Sequence, residues 1–272
     1  MYRVAALFRY PLKSAAGVRC PELELDKFGV RDDRRWMVVD AAGGPLTQRE
    51  LPRLARLHAR ATPEGLELSW SGDDDRTTVI RPSADAPRVA VTLWGDAVRL
   101  SLADDEASRW LAGRLGVDAR LAWMPDDVER PVNPRYARPG DRTSLTDGYP
   151  LHIIGSGSMQ ELNGRLERPV RVERFRPNLY VEGPPAFDED LWAEIRIGDS
   201  VLRVVKPCPR CAVTTVDPAT GRRGKEPLRT LSTYREREGG VMFGQNALHD
   251  GSGTLRVGDP VEVLSRRGVP EG

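Results

Sequence analysis

A chain of 272 residues holds one large domain or two modest ones. Its formal net charge of +1 gives the protein no large positive field of the kind that binds nucleic acid or an anionic membrane. Its three cysteines are too few for a disulfide framework, which favours a reducing, cytoplasmic setting. No apolar run approaches the roughly 20 residues that a spanning helix needs, and the N-terminus lacks the apolar core of a signal peptide, so no membrane association is expected.

Short β-like segments, separated by 26 glycines and 22 prolines, dominate the chain. They alternate apolar and polar residues or hold short apolar runs, and most end at glycine, proline or aspartate turn signals. The clearest lie at residues 35–40, 65–70, 88–94, 193–202, 254–257 and 260–264. The sequence therefore predicts a mainly β protein of the α+β class with a few helices.

Two segments have the apolar spacing of a helix instead. The first repeats at i, i+3, i+4 and i+8 and stops at a glycine: Ala107, Trp110, Leu111, Leu115 and Gly116. The second repeats at i, i+3 and i+7, at Met159, Leu162 and Leu166. Both stripes are expected to face the core, and the spacing of Ser158 and Glu161 predicts a capping box.

A cluster of prolines marks the best candidate domain boundary. Residues 125–140 hold prolines at positions 125, 131, 134 and 139. Such a stretch interrupts regular structure and is typical of a linker. We predict two domains, residues 1–124 and residues 125–272.

Two cysteines in one short run are the most informative feature of the chain. Cys208-Pro209-Arg210-Cys211 follows a strand-like stretch at residues 201–205. A thiolate at a strand end is a soft metal ligand. Zinc prefers four ligands, and the three histidines, His58, His152 and His249, are too scattered to complete a set. A thioredoxin-like redox pair would begin a helix, whereas residues 213–216 look like a strand. Buried cysteines without chemistry remain an open alternative.

A second set of residues is basic and suited to an oxyanion. It comprises residues 11–14, residues 31–35 and residues 174–178, which supply lysine, serine, arginine and asparagine. Taken singly, each piece is better explained as solvated surface arginine, since arginine is frequent throughout the chain.

The order of these motifs resembles that of MOSC-domain proteins with a MOSC N-terminal β-barrel domain, the family that includes the mitochondrial amidoxime-reducing component and bacterial relatives. The matching pieces are Tyr10-Pro11-Leu12-Lys13-Ser14, Asp33-Arg34-Arg35-Trp36, Thr47-Gln48-Arg49, Arg174-Phe175-Arg176-Pro177-Asn178, Cys208-Pro209-Arg210-Cys211, Thr214-Thr215-Val216-Asp217-Pro218, Lys225-Glu226-Pro227-Leu228, Phe243-Gly244-Gln245-Asn246 and Val257-Gly258-Asp259-Pro260. They run in order over nearly the whole chain. The resemblance implies a β-barrel MOSC domain with a smaller N-terminal β domain.

The resemblance also implies a ligand, the molybdenum cofactor, which is a pterin dithiolene (molybdopterin) with a phosphate. Cys211 matches the cysteine that ligates molybdenum, and Cys208 matches a position that does not. The pterin and phosphate contacts of the family map to Lys13, Ser14, Arg34, Arg176 and Arg210, with Asn178 and Asn246 beside them. A dithiolene supplies two sulfurs, so a single protein thiolate suffices where zinc would need more.

The activity implied is an oxidoreductase that reduces small N-hydroxylated compounds, converting N–OH to N–H plus water. Asp217, near the ligand in sequence, is a candidate proton relay, or equally a turn-forming aspartate before proline. The chain ends about eight residues after Leu264, so a separate electron-donor protein is expected. Two alternatives stay open: a cofactor-binding or sulfur-carrier module without reductase activity, and a non-enzymatic β-domain with zinc or no metal.

Overall fold

The computed structural model of the protein describes residues 1–237 and 239–268. Strands make up 42% of it. In chain order they are β1 (Tyr2–Arg9), β2 (Val18–Cys20), β3 (Glu22–Asp26), β4 (Gly29–Val30), β5 (Trp36–Val39), β6 (Pro45–Leu46), β7 (Leu57–Ala61), β8 (Gly65–Trp70), β9 (Arg76–Ile80), β10 (Arg88–Leu93), β11 (Asp96–Leu102), β12 (Arg120–Trp123), β13 (Leu151–Gly155), β14 (Leu179–Glu182), β15 (Trp192–Ile197), β16 (Ser200–Pro209), β17 (Glu236–Arg237), β18 (Gly240–Asp250), β19 (Gly253–Arg256) and β20 (Pro260–Arg266).

Helices are few in the described residues. The α-helices are α1 (Asp105–Leu115), α2 (Ser156–Arg165) and α3 (Leu228–Arg235), and the short 3-10 helices are Pro52–Arg56, Val172–Phe175, Asp188–Leu191 and Ala212–Thr215. The predicted fold class, mainly β with a few helices, is confirmed. None of the described helices is both long enough and apolar enough to cross a membrane.

Seven strands close into a barrel in the order β13-β14-β1-β20-β15-β16-β18, and β18 pairs back onto β13. Within this ring β13 and β14 are parallel and the other described pairs are antiparallel. Their inward side chains form one apolar core that includes the fully buried Leu7, Trp192 and Ile195. Closure pairs both edges of the sheet, so the barrel is a rigid support for the loops at its rim.

The first strands of the chain are joined to its second half. β1 lies between β14 and β20, with Tyr2 opposite Val261 and Leu7 opposite Leu179. Likewise β3 pairs with β19, β2 pairs with β1, and β4 pairs with β3. The division at residue 124 stays a prediction, and strand pairing shows that β1 to β4 lie with the barrel strands.

The other strands of the first half form a curled half-barrel sheet, β10-β11-β12-β5-β6, and a three-stranded sheet, β7-β8-β9. Helix α1 buries Ala107, Leu111 and Leu115 against them, as its apolar spacing predicts. The Asp104 carboxylate caps α1 by accepting from the Ala107 amide at 2.9 Å, and Gly116 ends it with a φ of 63°.

The second predicted helix is confirmed as α2, but its predicted capping box is wrong. The helix begins at Ser156, after Gly155 at the N-cap, so Ser158 already lies inside it. The Ser158 hydroxyl instead accepts a hydrogen bond from the Phe187 amide at 2.8 Å, which ties α2 to the loop after β14. Met159 and Leu162 are buried as predicted.

Candidate functional site

A cavity of about 230 Å³ opens where the ends of β1 and β16 meet the 3-10 helix Val172–Phe175. Its walls include every predicted cofactor-binding residue and the predicted metal ligand, namely Lys13, Ser14, Arg34, Arg176, Asn178, Arg210, Asn246 and Cys211. These residues are scattered over most of the chain, and the fold gathers them into one place. Their roles as ligands stay predictions; their common location is an observation.

Positive charge outweighs negative charge in this cavity. Of the residues described as lining it, six are cationic, Lys13, Arg34, Arg49, Arg176, Lys206 and Arg210, and one, Asp147, is a carboxylate. Grouping like charges in a partly desolvated site is unfavourable unless an anion lies among them. The walls therefore suit a small polyanion.

The backbone around the cavity is strained at three positions. Among the described residues, six non-glycine residues have a positive φ, and three of these line the cavity: Ser14 at 66°, Arg34 at 47° and Arg176 at 55°. Side chains with a Cβ rarely adopt this conformation, and such residues concentrate at binding sites.

Tyr10 supports two of the arginines. Its buried ring lies under both guanidinium groups, with Arg34 Cζ 4.2 Å and Arg176 Cζ 4.3 Å from the ring centroid. The Tyr10 hydroxyl donates to the Pro177 carbonyl at 3.0 Å. A Cβ at Gly17 would come within 2.4 Å of the ring, so the absence of a side chain there makes room for Tyr10. Cation–π contacts stabilise two neighbouring like charges that would otherwise repel.

Arg176 is a cavity arginine whose described hydrogen bonds and ring contacts include no carboxylate. Burial, and then the neighbouring Arg34 charge, lower the pKa of Arg176 to about 10. Its described partners are the Ala15 carbonyl and the Tyr10 ring, not a carboxylate. Arg34 is held by Asp33 and donates to the Arg176 carbonyl at 3.1 Å. A bound anion would supply the missing charge.

The cysteine run lies at the end of β16. That strand extends through Cys208, and the Arg210 amide then donates to the Val241 carbonyl at 2.7 Å. Cys211 is the N-cap of the 3-10 helix Ala212–Thr215, and the Thr214 hydroxyl donates to its carbonyl at 3.0 Å. The prediction that residues 213–216 look like a strand is therefore wrong. Both thiols are free, half-buried and line the cavity.

Arg210 lies between the two cysteines in sequence and contacts the first of them, Cys208. Its Nη1 contacts Cys208 Sγ at 2.9 Å and His152 Nε2 at 3.3 Å, and its Nη2 donates to the Phe175 carbonyl at 2.7 Å. Burial raises the pKa of Cys208, although the Arg210 charge opposes this. Arg210 Nε is buried and has no hydrogen-bond partner in the described structure. A buried donor without a partner at a cavity wall indicates a missing acceptor.

Arg49 and Asp147 belong to the site although the sequence analysis did not select them. Arg49 Nη2 contacts Cys211 Sγ at 3.4 Å and Asp147 Oδ2 at 3.2 Å. Lys13 Nζ donates to Asp147 Oδ1 at 2.6 Å and to the Leu145 carbonyl at 2.8 Å. Burial raises the pKa of Asp147, but the Lys13 and Arg49 charges outweigh it and hold that pKa well below its usual range. Arg49 is in a matching piece, Thr47-Gln48-Arg49, which was the available signal; Asp147 had none.

The two predicted asparagines differ in whether their side-chain amides are free to contact a ligand. Asn178 lines the cavity, but its Oδ1 accepts from Arg34 at 3.2 Å and its Nδ2 donates to the Phe8 carbonyl at 3.2 Å. Its amide thus orients Arg34. Asn246 lies on β18, opposite His152 of β13 and Lys206 of β16, with its side chain toward the cavity.

Asp217 is not among the residues that line this cavity. Its carboxylate pairs with Arg174 at 3.0 Å and accepts from the amides of Ala219 at 2.9 Å and Thr220 at 3.0 Å. These contacts are those of a turn-forming aspartate, and Asp217 borders a different cavity. These contacts favour the turn-forming interpretation, and the proton-relay role of Asp217 stays a prediction.

His152 is a buried wall residue that the sequence analysis considered only as a zinc ligand. Burial, and then the Arg210 charge, hold its pKa well below the ordinary value of 6.5. The described residues contain no group of three or more histidine, cysteine, aspartate or glutamate side chains that would hold a metal ion. A site with a single available thiol and surplus cations fits a metal that arrives with its own sulfur ligands and anionic groups.

We expect the free energy of unfolding to fall as the pH is lowered below about 6.5, partly through His152. The unfolded chain then binds a proton that the folded chain does not, so stability present above this pH is lost below it, by up to about 1.4 kcal/mol per pH unit. Urea denaturation of wild-type and His152→Asn protein from about pH 5 to 7.5 measures this. The variant should show the shallower pH dependence; equal slopes contradict the prediction.

Comparison with known proteins identifies the family of the chain. The MOSC domain matches residues 140–262, and the MOSC N-terminal beta barrel domain matches residues 1–118. Mitochondrial amidoxime-reducing component 1 of Mus musculus is 34% identical over 281 residues, which cover 97% of this chain and 82% of the relative. Its Homo sapiens counterpart is 32% identical over 280 residues, covering 97% and 83%. Mitochondrial amidoxime reducing component 2 of Rattus norvegicus is 34% identical over 277 residues, covering 95% and 82%.

The resemblance noted in the sequence is thereby confirmed. The two domain matches together span most of the chain, and the similarity to these relatives extends over nearly its full length. The chain belongs to the family of MOSC-domain proteins with a MOSC N-terminal β-barrel domain, and amidoxime-reducing components are its relatives.

Proposed function

We propose that this protein binds the molybdenum cofactor in the cationic cavity and uses it to reduce small N-hydroxylated compounds. Two electrons and two protons convert N–OH to N–H plus water. The observation that carries the proposal is the wall itself: the Cys211 thiol lies in a cavity lined by six cations and one carboxylate, where Arg210 Nε is buried without a partner. The relatives named for amidoxime reduction supply the substrate class.

The residues divide into a thiol and an anion-binding set. Cys211 would supply the protein thiolate, and Arg49, which contacts its sulfur, would stabilise the negative charge there. Lys13, Ser14, Arg34, Arg176 and Arg210 would hold the phosphate and pterin groups, with Asn246 beside them and Asn178 orienting Arg34. The cofactor, when bound, supplies the two-electron redox chemistry; the protein orients it and shields it from water.

The electron source is proposed to be a separate protein. The described residues contain three free cysteines and no ligand cluster for a second metal centre. Free thiols persist in a reducing compartment, which supports a cytoplasmic setting for the reaction as a further proposal.

The proposal is tested with protein purified from a host that makes the molybdenum cofactor. We expect molybdenum and pterin in near-equal amounts, little zinc, and reduction of an amidoxime by chemically reduced protein. Stoichiometric zinc without pterin would contradict cofactor binding. Cofactor binding without reduction would instead support the binding or sulfur-carrier alternative.

A further inference from the structure

A tryptophan occupies a turn position that suits asparagine, aspartate or glycine. The hairpin between β10 and β11 turns at Trp94 and Gly95, with Leu93 paired to Asp96. The φ angles of the two turn residues are 54° and 96°. Two-residue turns with positive φ at both positions strongly prefer Asn-Gly or Asp-Gly, and a bulky residue there is conformationally unfavourable. The turn itself gives no reason for an indole.

Packing gives no reason either, because Trp94 is 62% exposed. The indole is nevertheless oriented by two specific contacts. Its Nε1 donates to Asp147 Oδ1 at 3.2 Å, and Arg49 Cζ lies 4.7 Å from the ring centroid. Both partners line the cavity, and Arg49 also contacts Cys211 Sγ. The indole therefore stands at the mouth of the cavity, with Arg49 between it and the predicted metal ligand.

The hairpin is fixed relative to the cavity. The Asp96 carboxylate accepts from Arg130 Nε at 2.8 Å, and Arg130 is buried. Arg130 Nη1 also donates to the Thr146 carbonyl at 2.6 Å, one residue before Asp147. The turn that carries Trp94 and the loop that carries Asp147 are thus held together by a buried cation, so the indole keeps its place at the mouth.

We propose that Trp94 is a specificity-determining residue that offers planar, aryl-conjugated N-hydroxylated compounds a surface for stacking. This inference rests on the proposed function of the cavity. An aryl group conjugated to an N-hydroxylated carbon is flat, so its face packs on an exposed indole while the N–OH end reaches inward. The Asp147 carboxylate, which accepts from the Trp94 indole and also contacts Lys13 and Arg49, holds the ring at this mouth. An alkyl analogue offers no ring to stack.

The experiment compares kcat/KM for benzamidoxime and acetamidoxime in cofactor-loaded wild-type, Trp94→Asn and Trp94→Phe proteins. In Trp94→Asn the benzamidoxime to acetamidoxime ratio should fall about threefold to tenfold, mainly through KM for benzamidoxime. In Trp94→Phe, which keeps a ring, the ratio should stay near the wild-type value. Asparagine suits the turn, so thermal melting should show a folded Trp94→Asn protein. An unchanged ratio in Trp94→Asn overturns the inference.

A binding measurement separates this inference from the proposed function. Calorimetric titration with benzamidine and acetamidine, which lack the N–OH group, needs no turnover. The ratio of the two affinities should fall in Trp94→Asn and be kept in Trp94→Phe. If wild-type protein reduced neither amidoxime, the proposed function would fail while this titration still decided the role of Trp94. Equal affinity ratios in wild-type and Trp94→Asn protein overturn that role.

Discussion

Replacing Cys211 with serine is expected to lower the rate of amidoxime reduction by more than about a hundredfold. Even the loss of a residue that only hydrogen-bonds to a metal ligand lowers activity by up to about that factor. The Cys211 thiol lies in the cavity in contact with Arg49, and no second unshared thiol is available in the described walls: Cys208 is engaged by Arg210. A serine hydroxyl is a far poorer soft-metal ligand than a thiolate. Initial rates with chemically reduced protein, normalised to molybdenum and pterin content, measure the loss.

Cys208→Ala is the matched control within the same run. Burial raises the pKa of Cys208, which keeps its sulfur protonated, and the variant retains the Arg210 contacts to His152 and Phe175. Most of the activity should therefore remain. Equal loss in both variants would show instead that the two thiols act together, as a redox pair or a shared metal site.

The short strands could be predicted from the sequence because each is a local pattern bounded by turn residues. The segments at 65–70 and 260–264, for example, became β8 and β20. The barrel was predicted only through the family resemblance, because no local pattern records that β1 pairs with the distant strands β14 and β20. The helix Ala212–Thr215 was misread because threonine and valine favour strands, and tertiary contacts overrode that preference.

Some residues of the candidate site could likewise be predicted from the sequence, and others could not. Cys211, Lys13 and Arg176 were identified through ordered motifs, and the structure brings them to one cavity. Arg49 was not assigned a role although it lies in the matching piece Thr47-Gln48-Arg49, because arginine is frequent in this chain, and Asp147 was missed because an aspartate in a loop carries no local sign of what it faces. His152 was missed because a histidine in an apolar strand looks like a core residue. The positive φ of Ser14, Arg34 and Arg176 is set by the surrounding contacts and has no sequence signature outside glycine.

Loss of cofactor from folded protein is the effect expected for Arg176→Ala. Burial and Arg34 already lower the pKa of Arg176, so an anion there gains a partly desolvated, charge-assisted contact. Such a contact contributes about 1.5–3 kcal/mol, which corresponds to at least roughly tenfold weaker binding when it is removed. Lys13→Ala should act in the same direction and for a second reason, because it leaves the Asp147 charge less neutralised beside the anion.

Matched surface variants make the measurement decisive. Arg171→Ala removes an arginine near the same 3-10 helix whose side chain is 85% exposed, and Lys27→Ala removes an exposed lysine from the first half of the chain. Both should retain the cofactor at the wild-type level. The measurement is the pterin content of each variant after extensive dialysis, with thermal melting as the check on folding. It distinguishes the two cavity variants from the two surface variants. Full retention in Arg176→Ala and Lys13→Ala would mean that the two halves of the chain do not share one anion site, because the turn after β1 supplies Lys13 and the second half supplies Arg176.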